Sequence, residues 1–211
     1  MKRLFATLRY AALDQNGILV QLLGLFPAVV LSTRGKDGLI MGLFITLVLI
    51  FTSFFTSLFR KAFTDGIRLL VIVLISSTVS TVLSLLTKAL LPTLFSQMQI
   101  FFEMLCVTGI IFARSEIYAR FKPAAKSVFD ALGTGIGVTA VLFILGLLRE
   151  FFGAGTLFSG TPLQIKISLF PKMDLFLRPA GGLLMLGVLV AIFRVINEKI
   201  KKLPEREEEE L

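Results

Sequence analysis

The chain alternates between long apolar stretches and short polar segments. Six apolar stretches can be drawn along it, at residues 17–33, 38–59, 67–91, 98–113, 127–149 and 179–197. A helix that crosses the hydrocarbon core of a bilayer needs about 20 apolar residues, and the first and fourth stretches are shorter than the others. Pro27 also interrupts the first stretch, because proline removes a backbone donor. The pattern predicts an all-α integral membrane protein with six transmembrane segments, of which segments one and four are short or broken half-helices.

Composition supports a membrane protein and argues against a soluble enzyme. Of the 211 residues, 55% are hydrophobic and 17% are charged, and the mean hydropathy is +0.88. Soluble domains usually contain about 25% charged residues, and a core of this size cannot hide so much apolar surface. We expect a single transmembrane domain over residues 1–203, followed by a charged cytoplasmic tail at 204–211 that is disordered.

The basic residues lie mostly on one side of the predicted membrane topology. The net charge is +8, and the Lys and Arg residues fall in short segments between apolar stretches, which fits a topology signal better than a nucleic-acid surface. With six crossings, fifteen of them lie on the side of the two termini and seven lie on the other side. Since cytoplasmic loops are enriched in Lys and Arg, the sequence predicts that both termini are cytoplasmic.

The chain also contains an internal repeat. The segment DGLIMGLFITLVL, which begins at Asp37, aligns without gaps with DALGTGIGVTAVL, which begins at Asp130. Each copy follows a short interrupted segment and precedes another apolar stretch, so that repeat one covers about 15–91 and repeat two about 98–200. Three crossings per repeat place the second copy upside down in the membrane, which is the inverted-repeat architecture of many transport proteins. The interrupted segments then mark a functional centre near the midplane.

Several motifs resemble one known family of membrane subunits. The chain resembles RnfE and NqrD, subunits of the Rnf and Na⁺-translocating NADH:quinone oxidoreductase (Nqr) complexes, over roughly residues 15–200. The similar stretches are LVQLLGLFP at 19–27, GLIMGLFITLVL at 38–49, IIFARSE at 110–116, DALGTGIGVT at 130–139 and LREFFGAGTLF at 148–158.

The resemblance implies a six-helix subunit of a prokaryotic inner membrane. Such a subunit pairs with a homologous RnfA or NqrE partner of opposite orientation, and the two place their half-helices against each other. In the family, each partner supplies two cysteines to an intramembrane [2Fe–2S] cluster. The cluster carries electrons between flavin and iron–sulfur subunits, and electron flow drives the export of Na⁺ or H⁺.

This chain departs from the family at the cluster positions. The position of the first family cysteine, between Gly24 and Pro27, is Phe26, and that of the second, after Thr108, is Gly109. Neither side chain can ligate iron, and the chain's single cysteine, Cys106, lies three residues before the second position. We therefore expect no metal and no cofactor to be bound by this chain alone, with Cys106 a structural thiol.

Glu103, in short segment four, is the candidate for an ion pathway. An intramembrane carboxylate is energetically costly and suggests function, so Glu103 either binds or relays a cation or lies near the interface in contact with water. Asp37 and Asp130 are expected to cap helix N-termini, and Arg149 and Glu150 to form an interfacial pair.

The sequence contains no evident catalytic residues, and three functions stay open. The chain is a subunit of a redox-driven ion pump, a stand-alone secondary transporter, or a scaffold subunit that has lost its redox site.

Overall fold

The computed structural model describes residues 11–12, 15–30, 32–60, 65–106, 108–157, 159, 165–166 and 173–209. Within these ranges the chain is almost entirely helical. The α-helices there are α1 (Leu25–Val30), α2 (Gly35–Leu58), α3 (Asp65–Leu90), α4 (Pro92–Leu105), α5 (Gly109–Arg114), α6 (Ala124–Ala154) and α7 (Pro179–Glu209). The short elements are a π-helical turn (Ser115–Ala119), a 3₁₀ helix (Asp174–Leu177) and two antiparallel strands, β1 (Thr156–Leu157) and β2 (Ile165–Lys166).

Four of the described helices are long and apolar enough to cross a membrane, namely α2, α3, α6 and α7 as far as Glu198. A fifth candidate is the pair formed by α4 and by α5 with its π-helical turn, which is bent by 41° at a short break. Segment one has turns in place of a long helix, and among its described residues only the six of α1 are helical. The all-α membrane architecture is confirmed, and the two predicted interruptions fall in segments one and four.

Helices α2 and α6 form the centre of the molecule. Residues early in α2 contact residues late in α6, and residues later in α2 contact residues earlier in α6, so the two helices run antiparallel. A Cβ atom added to Gly42 would lie 2.5 Å from the Thr139 Cα, and one added to Gly135 would lie 2.4 Å from the Thr46 Cγ2. The Thr46 and Thr139 hydroxyl oxygens are 3.3 Å apart. Small residues allow this approach, as they do in other membrane helix pairs.

The same four residues are equivalent in the sequence repeat, where Gly42 aligns with Gly135 and Thr46 with Thr139. Each glycine packs against the threonine of the opposite copy, so the contact is reciprocal. Each threonine hydroxyl also donates to the carbonyl oxygen four residues earlier in its own helix, at 2.7 Å. The hydroxyl of each threonine is therefore satisfied within its own helix, although the two helices meet so closely.

Helices α3 and α7 lie on the outside. Only 17% of the apolar window of each helix is buried, and leucines such as Leu70, Leu74 and Leu184 are 60% exposed or more. Since large exposed apolar surfaces need a non-aqueous neighbour, these faces are the ones that lipid or another membrane protein covers.

The loops between the helices are grouped at the two ends of the molecule. At one end the Ser57 hydroxyl donates to the Lys122 carbonyl oxygen at 2.7 Å, which joins the second and fourth loops. At the other end the Gly35 amide donates to Glu150 Oε2 at 3.1 Å, which joins the first and fifth loops. This grouping agrees with the charge pattern of the sequence.

The C-terminal tail differs from its expected conformation. Helix α7 continues to Glu209, so the backbone of the segment expected to be disordered is helical there. The lysines and glutamates of this segment are good helix formers, and the helix continues through Pro204.

Candidate functional site

The interruption of segment one is built by Asn16. Its side-chain oxygen accepts the amides of Ile18 and Leu19 at 3.0 and 3.1 Å, and its side-chain nitrogen donates to the Ala12 carbonyl oxygen. Asn16 is only 3% exposed. Such local bonds compete with helix formation. Here they also satisfy backbone groups that have no partner because this part of the chain is not helical.

Leu22 completes this interruption with an unusual backbone. Its φ is +56°, in the left-handed region that non-glycine residues rarely adopt. Helix α1 begins three residues later. Strained residues of this kind persist only where the surroundings hold them, which indicates that the break is a defined structure.

The interruption of segment four lies between α4 and α5. Helix α4 ends at Leu105, Cys106 is its C-cap, and Thr108 is extended before α5 begins at Gly109. The Ser76 hydroxyl donates to the Cys106 carbonyl oxygen at 3.0 Å, so α3 satisfies one backbone group that the break exposes.

The two interruptions meet. A Cβ atom added to Gly109 would lie 3.1 Å from the Leu23 carbonyl oxygen, and one added to Gly24 would lie 2.6 Å from the Ile110 Cδ1. The positions that the sequence singled out in segments one and four therefore belong to one place in the fold. The prediction that Pro27 interrupts segment one is wrong: Pro27 is buried in the first turn of α1, where its missing amide would have no helical partner, and the break lies before it. Thr108 is 7% exposed.

The residues at this place do not fit an iron–sulfur cluster. Phe26, which is 41% exposed, has no donor atom. Gly109 has no side chain, and the Leu23 carbonyl already crowds its Cβ position. The Cys106 thiol donates to the Glu103 carbonyl oxygen at 3.3 Å. Within the described ranges no three His, Cys, Asp or Glu side chains come together as a metal site.

Glu103 does not point into the contact between the interruptions. It lies on an exposed face of α4, where Gln99 Nε2, one helical turn earlier, donates to its Oε1 at 3.2 Å. Its carboxylate therefore faces the outside of the chain, toward lipid, water or a neighbouring subunit.

A buried polar network lies at the end of the molecule that contains the second and fourth loops. Arg114, 1% exposed, donates to Asp130 Oδ1 at 3.2 Å, to the Thr134 hydroxyl at 2.7 Å and to Gln15 Oε1 at 2.8 Å. The network joins α5 and α6 to Gln15, which lies just before segment one. The expectation that Asp130 caps a helix is wrong, because Asp130 lies in the second turn of α6 and pairs with Arg114.

Arg149 is a second buried arginine, and its described hydrogen bonds all go to carbonyl oxygens. It is 0% exposed and donates to five of them. Two belong to the end of α1 and the residues just after it, and three to the end of the 3₁₀ helix; the residues are Val29, Ser32, Phe176, Leu177 and Arg178. Orphan carbonyls at a helix C-terminus bind cations favourably, so Arg149 stabilises the ends of both elements.

Glu150 has a separate role at the same end of the molecule. Its Oε2 accepts the amide of Gly35, the first residue of α2, and its Oε1 accepts the amide of Ser159. Glu150 therefore caps α2. Asp37, which was expected to cap this helix, lies in its first turn, where its charge complements the helix dipole. The predicted Arg149–Glu150 ion pair does not form between these neighbours, although both residues hold the outer connections.

Asn16 and Arg114 organise the fold without having been singled out in the sequence, and Arg149 was singled out there with a different partner. Two signals were available. Asn16 precedes Gly17, and Asn-Gly is a strong turn signal. Arginines inside or at the edge of apolar stretches are rare and usually have buried partners.

These features define a class: a multi-span α-helical membrane protein, built on an antiparallel central helix pair, with two interrupted segments in contact. Residues 4–190 match the family described as Rnf-Nqr subunit, membrane protein. The chain belongs to this family.

Several relatives are similar over most of their length. The E subunit of the proton-translocating ferredoxin:NAD(+) oxidoreductase complex of Clostridium ljungdahlii is 31% identical over 203 residues, which cover 96% of this chain and 94% of that protein. The E subunit of the ion-translocating oxidoreductase complex of Edwardsiella ictaluri is 37% identical, over 87% of this chain and 82% of the relative. The corresponding protein of Yersinia pestis is 36% identical, over 88% and 84%.

Proposed function

We propose that this chain is the E-type membrane subunit of a redox-driven, ion-translocating electron transport complex. The observation that supports this most is its similarity to E subunits of such complexes over 82–94% of their length. The contact between two interrupted segments adds to it, since irregular backbone at membrane depth is kept where it lines a site or packs against protein.

The proposal includes a six-span topology. Segment one and the α4–α5 pair each count as one crossing, and the chain forms two inverted repeats of three. The reciprocal packing of Gly42 on Thr139 and of Gly135 on Thr46 supports this, because equivalent helices related by an inverting two-fold axis meet in this way. The charge pattern supports cytoplasmic termini, and the similarity to bacterial E subunits supports a location in a prokaryotic inner membrane.

Within such a complex, the chain pairs with a homologous RnfA- or NqrE-like subunit, alongside flavin and iron–sulfur subunits. We place this partner against the exposed side of the two interruptions, where Leu22, Leu25 and Phe26 are each 38–48% exposed. Co-purification tests this. A tagged chain should retain a homologous membrane subunit and flavin in mild detergent, whereas a stand-alone transporter would purify alone.

A scaffold role is a second candidate, which the cluster positions specifically favour. Phe26 and Gly109 supply no ligands, so any [2Fe–2S] cluster at the interface has to take its ligands from outside this chain. Iron analysis and EPR spectroscopy of the intact complex separate the two functions. If the chain is a pump subunit that faces a complete cluster, the complex should contain iron and show the EPR signal of a [2Fe–2S] cluster. If the chain is a scaffold, the complex should be stable but lack this signal.

Glu103 is the proposed ion-pathway residue. Its exposed carboxylate on an apolar helix needs a polar neighbour in the assembly, and Na⁺ or H⁺ would satisfy it. In the reconstituted complex, Glu103→Gln should reduce ion transport and alter its pH dependence while the complex stays assembled. Gln97→Ala, which changes another exposed polar residue of α4, is the control. Unchanged transport in Glu103→Gln would refute this role.

A further inference from the structure

A groove separates segment one from the second half of α7. Near the start of α7 the two are close, since a Cβ atom added to Gly182 would lie 3.1 Å from the Val29 carbonyl oxygen of α1. Farther along α7, segment one consists of the turns held by Asn16 and Leu22, so it cannot pack there as a second helix would. The space between them, which we call the α7 groove, is lined by Leu19, Val20, Leu22, Val190, Phe193, Arg194, Asn197 and Glu198.

The α7 groove is large enough to hold part of a sizeable ligand. Its volume is about 460 Å³, which lies within the roughly 300–1,000 Å³ of ligand pockets in proteins. Most of the lining side chains are apolar, and two of them, Val20 and Leu22, are 47% and 48% exposed. Because exposed apolar surface of this kind marks an interaction site, the occupant of the groove has an apolar part.

The polar residues of the groove all lie at one end of it. On α7 the lining residues follow each other at helical spacing, so they share one face of the helix, in the order Val190, Phe193, Arg194, Asn197 and Glu198. The membrane-spanning part of α7 ends at Glu198. The apolar part of the groove therefore extends into the membrane and its polar end lies at the membrane surface, which fits a molecule with a polar head and an apolar chain.

The polar end carries one positive and one negative charge. Arg194 Nε and Glu198 Oε1 are 3.6 Å apart, and the two side chains are 81% and 64% exposed. Exposed ion pairs of this kind are weak, so both groups are available to a ligand that offers stronger hydrogen bonds. The Asn197 side chain, between them in sequence, can both donate and accept.

This pair of charges is complementary to a zwitterionic head. A guanidinium group binds phosphate oxygens through paired N–H donors, and a carboxylate accepts hydrogen bonds from a primary ammonium group. A phosphoethanolamine head contains both a phosphate and a primary ammonium, joined by two carbon atoms. A head with a phosphate alone would bind Arg194 but would place a like charge beside Glu198.

We propose that the α7 groove binds a phospholipid of the phosphatidylethanolamine class. The phosphate accepts hydrogen bonds from Arg194, the ammonium donates to Glu198, and one acyl chain lies between segment one and α7. This inference does not depend on the proposed function, because it uses only the groove and the membrane location of the chain. Leu22 also belongs to the surface on which we place the homologous subunit, so the lipid lies at the edge of that interface.

The test compares three phospholipids with the same acyl chains. The full chain, with any subunits that co-purify, is delipidated in neutral detergent and titrated with phosphatidylethanolamine, phosphatidylglycerol or phosphatidylcholine. Native mass spectrometry measures retained lipid, and thermal unfolding measures stabilisation. Phosphatidylethanolamine should bind about tenfold more tightly than the other two, since phosphatidylglycerol has no ammonium and that of phosphatidylcholine has no N–H donor.

Two substitutions separate the contributions of the charges. Glu198→Gln should weaken phosphatidylethanolamine binding about tenfold and leave phosphatidylcholine binding unchanged, because only the first lipid donates to the carboxylate. Arg194→Gln should weaken the binding of all three lipids, because each has a phosphate. Lys126→Gln is the control: it removes one exposed positive charge at the same end of the molecule, outside the groove. Both groove residues are exposed, so these variants should fold.

A third substitution locates the acyl chain. Val190→Trp should fill the apolar part of the groove and reduce retention of all three lipids several-fold. Val188→Trp is its matched control, because Val188 is on the same helix and 60% exposed but does not line the groove. Equal binding of the three lipids by the wild-type chain would overturn the proposal. So would an unchanged preference in Glu198→Gln, or equal lipid retention by the two tryptophan variants. If a co-purified subunit fills the groove, the complex should show no preference for phosphatidylethanolamine, and the proposal fails.

Discussion

A close contact between the two central helices gives a quantitative prediction for Gly42→Ala. The added Cβ would lie 2.5 Å from the Thr139 Cα and equally close to its hydroxyl oxygen. Carbon atoms pack favourably at about 3.5–4.0 Å, so the helices have to separate by about 1 Å. Because the obstacle includes backbone, side-chain rotation alone does not relieve it.

The energetic consequence follows from two opposing terms. Overpacking of this kind destabilises a protein by about 1–3 kcal/mol, and the better helix propensity of alanine returns up to about 1 kcal/mol. We expect Gly42→Ala to lower the free energy of unfolding by about 1–2 kcal/mol. For a chain of this length, that lowers the melting temperature by about 2–8 °C.

Gly187→Ala is the matched control for this substitution. Gly187 also lies inside a membrane helix, but a Cβ added there meets nothing within 4 Å. This variant should unfold at the wild-type temperature or slightly above it. Thermal unfolding in one detergent, followed by circular dichroism, compares the three proteins. If Gly42→Ala is as stable as Gly187→Ala, the close packing of α2 on α6 is not as described.

Three further substitutions test the buried polar contacts by the same unfolding measurement. Arg149→Gln should destabilise the chain by about 3 kcal/mol or more, because several charged hydrogen bonds to carbonyls are lost at once, and wild-type stability would contradict the capping role. Asp130→Asn should destabilise it by about 3–5 kcal/mol, since it leaves the Arg114 cation buried without its carboxylate; the double variant with Arg114→Gln should recover part of the loss, and strict additivity would exclude coupling. Asn16→Ala should destabilise it by about 1–3 kcal/mol by leaving two buried amides unsatisfied, with increased proteolysis near segment one, and a fully protected segment would refute its role in the turn.

Local patterns in the sequence are sufficient to predict most of the helical architecture. Long apolar runs have few alternatives in a membrane, because every backbone group must be paired inside the segment. The stretches at 38–59, 67–91, 127–149 and 179–197 accordingly correspond to α2, α3, α6 and α7. The helix ends differ from the predicted ones by a few residues, except at the C-terminus of α7, where the difference is larger.

The repeat is visible in the sequence, but its packing consequence is not. Alignment pairs Gly42 with Gly135 and Thr46 with Thr139, and this requires only local comparison. The packing of each glycine against the threonine of the other copy is a different matter. It depends on the register between two helices about 90 residues apart in the sequence. Register is set by many side chains at once, so a single sequence does not define it.

The same limit explains the errors at charged positions. Neighbours in sequence suggest a cap at Asp130 and half of an ion pair at Glu150. Their actual partners, Arg114 and the Gly35 amide, are 16 and 115 residues away. Long-range polar pairing follows from the fold, and one sequence contains no direct signal for it.

The interruptions of segments one and four are supported independently of any cluster. The Asn16 side chain accepts an amide in the turn before α1, and Arg149 donates to a carbonyl oxygen at the end of α1. The Ser76 hydroxyl donates to the carbonyl oxygen of Cys106. These contacts satisfy the backbone groups that a broken helix exposes, which is the condition for irregular backbone at membrane depth. None of them involves the Phe26 side chain or Gly109. The absence of cysteines at those two positions therefore removes ligands without removing the structure around them. The proposed assembly with a homologous subunit therefore needs no cluster ligand from this chain, because the contacts that hold the two interruptions in place include none.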